Sequence, residues 1–227
     1  MNLLALDTST EVFAIAVQRG GELLQHEAPG GAQASAAMIP AIQRLLAQAG
    51  LALPELDAIV FGRGPGSFTG LRTACSVTQG LAFGAKVPVL PVETLLAVAE
   101  EARFRAGATR VVALLDARMD EVYAAAYEWD GRAWQRHGEI ALDAPQNVAV
   151  PSGWAMAGNA FAAYGSRLPA GQRIDALPTA TALLRLAPAL LADGQAVPAG
   201  GALPLYIRDK VAQTTAERAA ARAAPSP

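Results

Sequence analysis

The sequence predicts an α/β protein built from two related halves, and three observations carry that prediction. Short apolar runs rich in β-branched residues alternate with longer segments of helical periodicity. A strand-turn-strand unit occurs twice, opening at Asp7 and again at Asp116. Between the copies, Ala106-Gly107-Ala108 breaks the pattern and divides the chain into 1–106 and 107–227. In the first copy, Leu4-Ala5-Leu6-Asp7 runs through a polar turn into Glu11-Val12-Phe13-Ala14. In the second, Ala113-Leu114-Leu115-Asp116 leads to Glu121-Val122-Tyr123-Ala124, with one extra residue in the turn. Two unrelated hairpins would share alternation alone. The Asp at the strand end and the Glu-Val-aromatic-Ala run argue for duplication.

The elements follow in order. Asn2–Leu6 reads as a buried strand, Val12–Gln18 as its partner, and Arg19-Gly20-Gly21 as the turn into a third strand, Glu22–Glu27. After the Pro/Gly loop Ala28–Ala32, Ser35–Ala49 reads as a helix that starts near Pro40 or bends there, and Gly50 stops it. Asp57–Phe61 is a buried strand, Gly62–Gly70 a glycine loop, and Thr69–Gly84 a second helix. Val87–Val92 is a strand and Glu93–Arg105 a third helix. In the second half, Arg110–Leu115, Val122–Trp129 and Trp134–Leu142 are strands. Val148–Val150 and Ala155–Ala157 read as short strands, Thr179–Ala192 as a helix despite Pro188, and Leu205–Arg208 as a short apolar piece. Ala216–Pro227 reads as a frayed helix followed by a disordered tail.

Composition narrows the function. With 52% apolar and 6% aromatic residues, the chain can fill a core, and that core is mainly small aliphatic. The net charge is −2. An autonomous nucleic-acid binder carries a basic surplus, so any nucleic-acid role would need a partner to supply the positive surface. Cys75 is the only cysteine, and His26 and His137 the only histidines, so neither an internal disulfide nor a Cys/His metal site can form. No stretch reads as a membrane span or a signal peptide, and the expected location is the cytoplasm.

Two segments have the chemistry of phosphate binding. Asp7-Thr8-Ser9-Thr10 lies in a tight turn whose amides and hydroxyls can form an anion concavity, with a carboxylate at the strand end. An ordinary hairpin held by Asx and Ser/Thr bonds is the alternative. Arg63-Gly64-Pro65-Gly66-Ser67-Phe68-Thr69-Gly70-Leu71-Arg72 joins a strand to a helix, where glycines permit close backbone approach and the helix N-terminus favours anions. It has neither Walker A nor dinucleotide spacing, and a structural turn capped by Ser67 or Thr69 is the alternative. The candidate phosphate residues are therefore Asp7, Thr8, Ser9, Gly64, Gly66, Ser67, Thr69 and Gly70. No catalytic residue and no metal ligand is assigned.

The two N-terminal helices each carry two apolar stripes. In the first, Met38, Ala41 and Leu45 stand beside Ile39, Ile42, Leu46 and Ala49. In the second, Leu71, Cys75, Thr78 and Ala82 stand beside Ala74, Val77 and Leu81. One stripe suffices to seat a helix, so the second predicts an outer cover, either the chain's own core or another protein. The expected partner face is Met38, Ala41, Leu45, Leu71, Ala74, Cys75, Val77 and Thr78.

Asp7-Thr8-Ser9-Thr10, the Gly64–Arg72 loop, Asp116-Ala117-Arg118 with Glu121-Val122-Tyr123, and Leu205-Tyr206-Ile207-Arg208 together resemble the TsaB (YeaZ) family over nearly the whole chain. The resemblance implies an actin/Hsp70/sugar-kinase (ASKHA) fold, with two related halves, each a mixed β-sheet flanked by helices. It implies a non-catalytic dimerisation partner of TsaD, working with TsaE and TsaC to place threonylcarbamoyl on the adenosine beside the anticodon of tRNAs that read A-starting codons. TsaC makes the threonylcarbamoyl-adenylate and TsaD transfers the group. ATP is used by the complex, with no cofactor on this subunit, and the subunit alone closes as a homodimer. TsaD holds its metal with two histidines on the helix after the first hairpin, whereas here that stretch reads Gln33-Ala34-Ser35-Ala36-Ala37-Met38. Active relatives have a glycine-rich loop after the second Asp, where this chain has Arg118 and Met119. A stand-alone ATPase or small-molecule phosphotransferase is the alternative, and it would need two phosphate loops. A metalloprotease fails for want of ligands.

Overall fold

The computed structural model describes residues 1–31 and 34–208. The predicted tail Ala216–Pro227 lies outside them. The first sheet has strand order β3-β2-β1-β4-β5. Its members are β1 (Asn2–Asp7), β2 (Val12–Arg19), β3 (Glu22–Pro29), β4 (Ala58–Gly64) and β5 (Val89–Glu93). β1 is central and its apolar run is buried on both faces, as a strand with neighbours above and below requires. β3, at the edge, alternates exposed with half-buried residues and covers one side only. The hairpin strands β1, β2 and β3 are antiparallel, while β4 and β5 are parallel to β1.

The second sheet repeats this topology strand for strand: β10-β9-β6-β7-β8, with an antiparallel hairpin trio and a parallel pair. Its strands are β6 (Arg110–Asp116), β7 (Val122–Trp129), β8 (Trp134–Asp143), β9 (Ala155–Gly158) and β10 (Arg173–Asp175). Two mixed sheets of one order, in two related halves flanked by helices, make the ASKHA-type arrangement. Pairing differs from the sequence alignment in one respect. Asp7 faces Ala14, whereas Asp116 faces Val122, so the shared Glu-Val-aromatic-Ala run is displaced by two pairing positions. A shift of two keeps every side chain on its original face.

The helices are α1 (Ala34–Ala49), α2 (Phe68–Ala85), α3 (Thr94–Ala106), α4 (Phe161–Tyr164) and α5 (Ala180–Ala192). α1 continues through Pro40, where the sequence suggested a start or a bend. Val148–Val150 is not a strand, while β10 and α4 have no counterpart in the sequence reading. Both are only a turn or a few residues long, too short for periodicity to register.

Packing corrects the expected partner face. Leu4, Leu6, Phe13, Ile15, Ile59 and Phe61 form one face of the first sheet, and α1 and α2 close over it. Met38, Ala41, Leu45, Ala74 and Cys75 are buried there, Val77 is half-buried against the same core, and Leu71 and Thr78 are buried as well. These side chains hold the helices to their own sheet. The second stripe on each helix widens the inward face. The outward face of α2 instead carries Arg72, Ser76, Gly80 and Phe83, the last 82% exposed, and α1 exposes Ile39.

The opposite face of the first sheet is covered by α3 and by α5, which returns from the second half of the chain. α3 presents Leu95, Val98, Ala99 and Ala102 to the second sheet. Ion pairs join α3 to α5: Arg185 reaches Glu100 at 3.1 Å and Glu101 at 2.5 Å, and Trp134 of β8 donates to Glu100 at 2.9 Å. Burial raises the Glu100 carboxyl, but the Arg103 and Trp134 hydrogen bonds and the nearby guanidinium charges outweigh it and hold the pKa below its usual value. On the far face of the second sheet, Val148, Ala160, Tyr164 and Leu168 are buried, with Val150, Trp154 and Phe161 packed beside them.

Candidate functional site

Asp7 ends β1 in a fully buried position. Its Oδ1 accepts the Ser9 amide at 2.9 Å and the Ser9 hydroxyl at 2.6 Å, an Asx turn. Its Oδ2 has no partner and lies against Gly62 of β4, where a Cβ would overlap it. Burial pushes the carboxyl up to about 6, against the two Ser9 hydrogen bonds, which lower it.

The glycine loop folds down onto this turn. The Ser67 amide donates to the Ser9 carbonyl at 2.8 Å, and the Thr8 hydroxyl donates to the Gly70 carbonyl at 2.6 Å. A Cβ on Gly66 would stand 2.5 Å from the Ser9 carbonyl oxygen, and one on Gly70 would overlap the Thr8 carbonyl. Close backbone approach is thus the reason for glycine here, but the approaching group is the other loop. The Gly64 amide goes to Thr94 Oγ1 at 3.1 Å, and the Gly70 amide to the N-cap Ser67 hydroxyl at 3.4 Å. The Gly64–Pro65 peptide is cis.

The second hairpin repeats the Asx bond and little else. The Arg118 amide donates to Asp116 Oδ1 at 2.8 Å, matching the Ser9–Asp7 bond. Asp116 is only partly buried. The Tyr164 hydroxyl donates to Oδ1 at 2.7 Å, and Arg118 pairs with Oδ2 at 3.0 Å. Partial burial, with the Asp116 carboxylate beside it, pushes Tyr164 up to about 12. Arg118, Met119 and Asp120 all have positive φ, at 60°, 56° and 60°.

Between the halves lies a cleft of about 540 Å³. Ser9, Gly66, Ser67 and Thr69 of the expected phosphate residues line it, whereas Asp7, Thr8, Gly64 and Gly70 do not. The carboxylate that was to orient a phosphate or water is therefore shut beneath the loop. The second half contributes Asp116, Arg118 and Asn159, and the segment Leu205–Arg208 closes one wall. Sequence reasoning missed Thr94, Asn159 and Tyr164 as partners of these turns. Asn159 and Tyr164 fall in the stretch of weakest periodicity, and nothing local marks them. Among the described residues, no group of three His, Cys, Asp or Glu could hold a metal ion, and no helix is long and apolar enough to cross a membrane.

Comparison with known proteins adds four findings. The family model described as "TsaD: tRNA N6-adenosine threonylcarbamoyltransferase" matches residues 25–223. The chain is 35% identical to the tRNA threonylcarbamoyladenosine biosynthesis protein TsaB of Escherichia coli (strain K12), over 93% of this chain and 96% of that one. The TsaB of Haemophilus influenzae is also 35% identical, over 93% and 95%. Among solved structures, YeaZ from Pseudomonas aeruginosa superposes with a TM-score of 0.85 at 43% identity, covering 91% of this chain and 99% of that one.

Proposed function

The chain belongs to the TsaB (YeaZ) family, within reach of the TsaD family model, and from that premise we propose that it is a non-catalytic partner subunit in tRNA threonylcarbamoyladenosine formation. It pairs with TsaD, which carries the transfer chemistry, and works with TsaE and, through its product, TsaC. ATP is used by the complex, and no cofactor resides on this subunit. The tRNA is reached through the complex, in the cytoplasm, and in the absence of TsaD the subunit forms a homodimer. One observation carries the non-catalytic reading: the two candidate phosphate loops are in backbone contact, with Gly66 and Gly70 against Ser9 and Thr8, so a phosphate has no room between them.

The pairing surface follows from the corrected helix faces. The inward stripes are occupied, so a partner meets the outward side of α1 and α2, where small residues at Ser76 and Gly80 permit close helix approach beside exposed Phe83 and Ile39. The test is co-elution and titration with TsaD. Phe83→Asp lowers affinity at least tenfold while thermal stability stays within a degree or two of the parent. If Phe83→Asp, Ile39→Asp and Ser76→Arg all bind TsaD at full affinity, the pairing face is elsewhere. Sustained ATP turnover by the isolated chain would remove the non-catalytic reading.

A further inference from the structure

The segment from Ala202 to Arg208 belongs to no sheet or long helix, yet each of its contacts is specific. The Ala202 carbonyl accepts Cys75 Sγ at 2.9 Å and Gln79 Nε2 at 2.8 Å, which anchors it on α2. The Leu205 amide donates to the Arg63 carbonyl at 2.7 Å, on the glycine loop. The Tyr206 ring lies 5.2 Å from Phe68, and its hydroxyl accepts Arg72 Nε at 3.1 Å. Two residues later the chain is on the other half. Ile207 packs on the core between α3 and the second sheet. Arg208, 10% exposed, pairs with Glu121 at 2.7 Å and donates to the Ala117 carbonyl at 2.9 Å, the Arg118 carbonyl at 3.4 Å and Met119 Sδ at 3.0 Å.

Those carbonyls belong to the turn in which Arg118, Met119 and Asp120 are all left-handed. L-residues avoid that conformation, and three in succession persist only where surrounding contacts impose it. Arg208 supplies such contacts from one side, and Arg167, paired with Asp120 at 2.7 Å, from another. Two halves with a cleft between them move relative to one another by default, unless something crosses the gap. α3 and α5 join them on one side of the first sheet. On the cleft side, the crossing is made by Leu205–Arg208 and by a long contact at 3.5 Å from the Asn159 side-chain amide to the Glu11 carboxylate.

We infer that Leu205–Arg208 is a clamp that fixes the cleft between the halves and, through Arg208, holds the Arg118–Asp120 turn in its left-handed form. Turn shape and cleft setting are then coupled: whatever lifts the segment relaxes the turn and frees the halves. The inference stands on contacts within the chain and is independent of the pairing with TsaD.

The test uses the full chain, with nitroxide labels at Arg44→Cys and Glu139→Cys, both exposed positions on opposite halves, and buried Cys75 left in place. In that background, Arg208→Ala broadens the label-to-label distance distribution. Amide hydrogen exchange over 116–121 rises at least tenfold, while β1, β2 and β4 keep their protection. If either the distribution or the exchange at 116–121 is unchanged, the clamp is overturned. Should Arg208→Ala fail to fold, Glu121→Gln, which removes the ion pair at a partly exposed carboxylate, is read the same way. A faster-exchanging turn with a broader distribution supports the clamp, and no change in either overturns it.

Discussion

The two hairpin turns start from one plan and end in opposite environments. Both strands end in an aspartate whose Oδ1 accepts the amide two residues on. In the first half, Gly66 and Gly70 bring a second loop down on the turn and seal Asp7 away from solvent. In the second half no glycine loop arrives, and Asp116 remains at the cleft, held by Tyr164 and Arg118. The first turn is therefore fixed by backbone contact and carries a costly buried carboxyl. The second is fixed by side chains and carries a costly backbone. The sheet plan is kept in both halves, while the two turns are held by different physical means.

The largest expected effect breaks the first route. Gly70→Ala places a methyl on the Thr8 carbonyl. The obstacle is backbone, which cannot rotate away, so the cost is at the upper end of overpacking, about 3 kcal/mol. It reads as a lower urea midpoint with unchanged m-value. A Gly70→Ala protein as stable as the parent would mean that the loops separate easily, and the contrast between the two turns would fail.

Next comes the buried carboxyl. Asp7 is raised from 3.8 to about 6, so the folded chain holds a proton that the unfolded chain has released between those values. Its contribution to stability is present at low pH and falls as pH rises from about 4 to 6. A shift of about two units corresponds to roughly 3 kcal/mol between pH 4 and pH 7. Asp7→Asn removes this dependence. Its amide nitrogen would occupy the unpartnered Oδ2 position, so the absolute gain at pH 7 is smaller than the slope suggests. The measurement is the difference in unfolding free energy between parent and variant across pH 4 to 7. Parallel curves would show that Asp7 is not the group whose burial distinguishes the first turn.

The duplicated plan was legible in the sequence because it is written in local signals: the aspartate at each strand end and period-two alternation. The strand reading missed β10, three residues long, and added one at Val148–Val150 where there is none. What closes over the sheets was not legible. α5 looks like a second-half helix and packs on the first sheet, a choice fixed by complementarity with Leu3, Ala5 and Val60 far away in sequence. The partner face was misread for a related reason. Apolar stripes at Met38, Leu45, Leu71 and Cys75 announce burial without saying against what, and the face left outside is marked by Ser76 and Gly80, which periodicity scores as neutral. The two candidate phosphate loops meet by close backbone approach at Gly66 and Gly70. Whether the approaching group is a phosphate or another loop is a long-range fact, set by Ser9 and Ser67 meeting across the fold.

The smallest effect tests the second route. If the second turn carries strain in its backbone, then relieving one residue should stabilise the chain slightly, against the usual direction of surface substitutions. Arg118 is the suitable position, because its side chain is 79% exposed and its pairing with Asp116 is a surface ion pair. Such a pair contributes about 0.5 kcal/mol or less. A left-handed L-residue costs about 1–2 kcal/mol relative to one that tolerates the conformation, and glycine returns about 0.5–1 kcal/mol of that through unfolded-chain entropy. Arg118→Gly should therefore raise stability by about 0.5 kcal/mol, a degree or two in melting temperature. A loss of more than about 1 kcal/mol would place the turn's stability in the Arg118 side chain, and the second turn would then be held by its own arginine rather than by Arg208 and Tyr164 from outside.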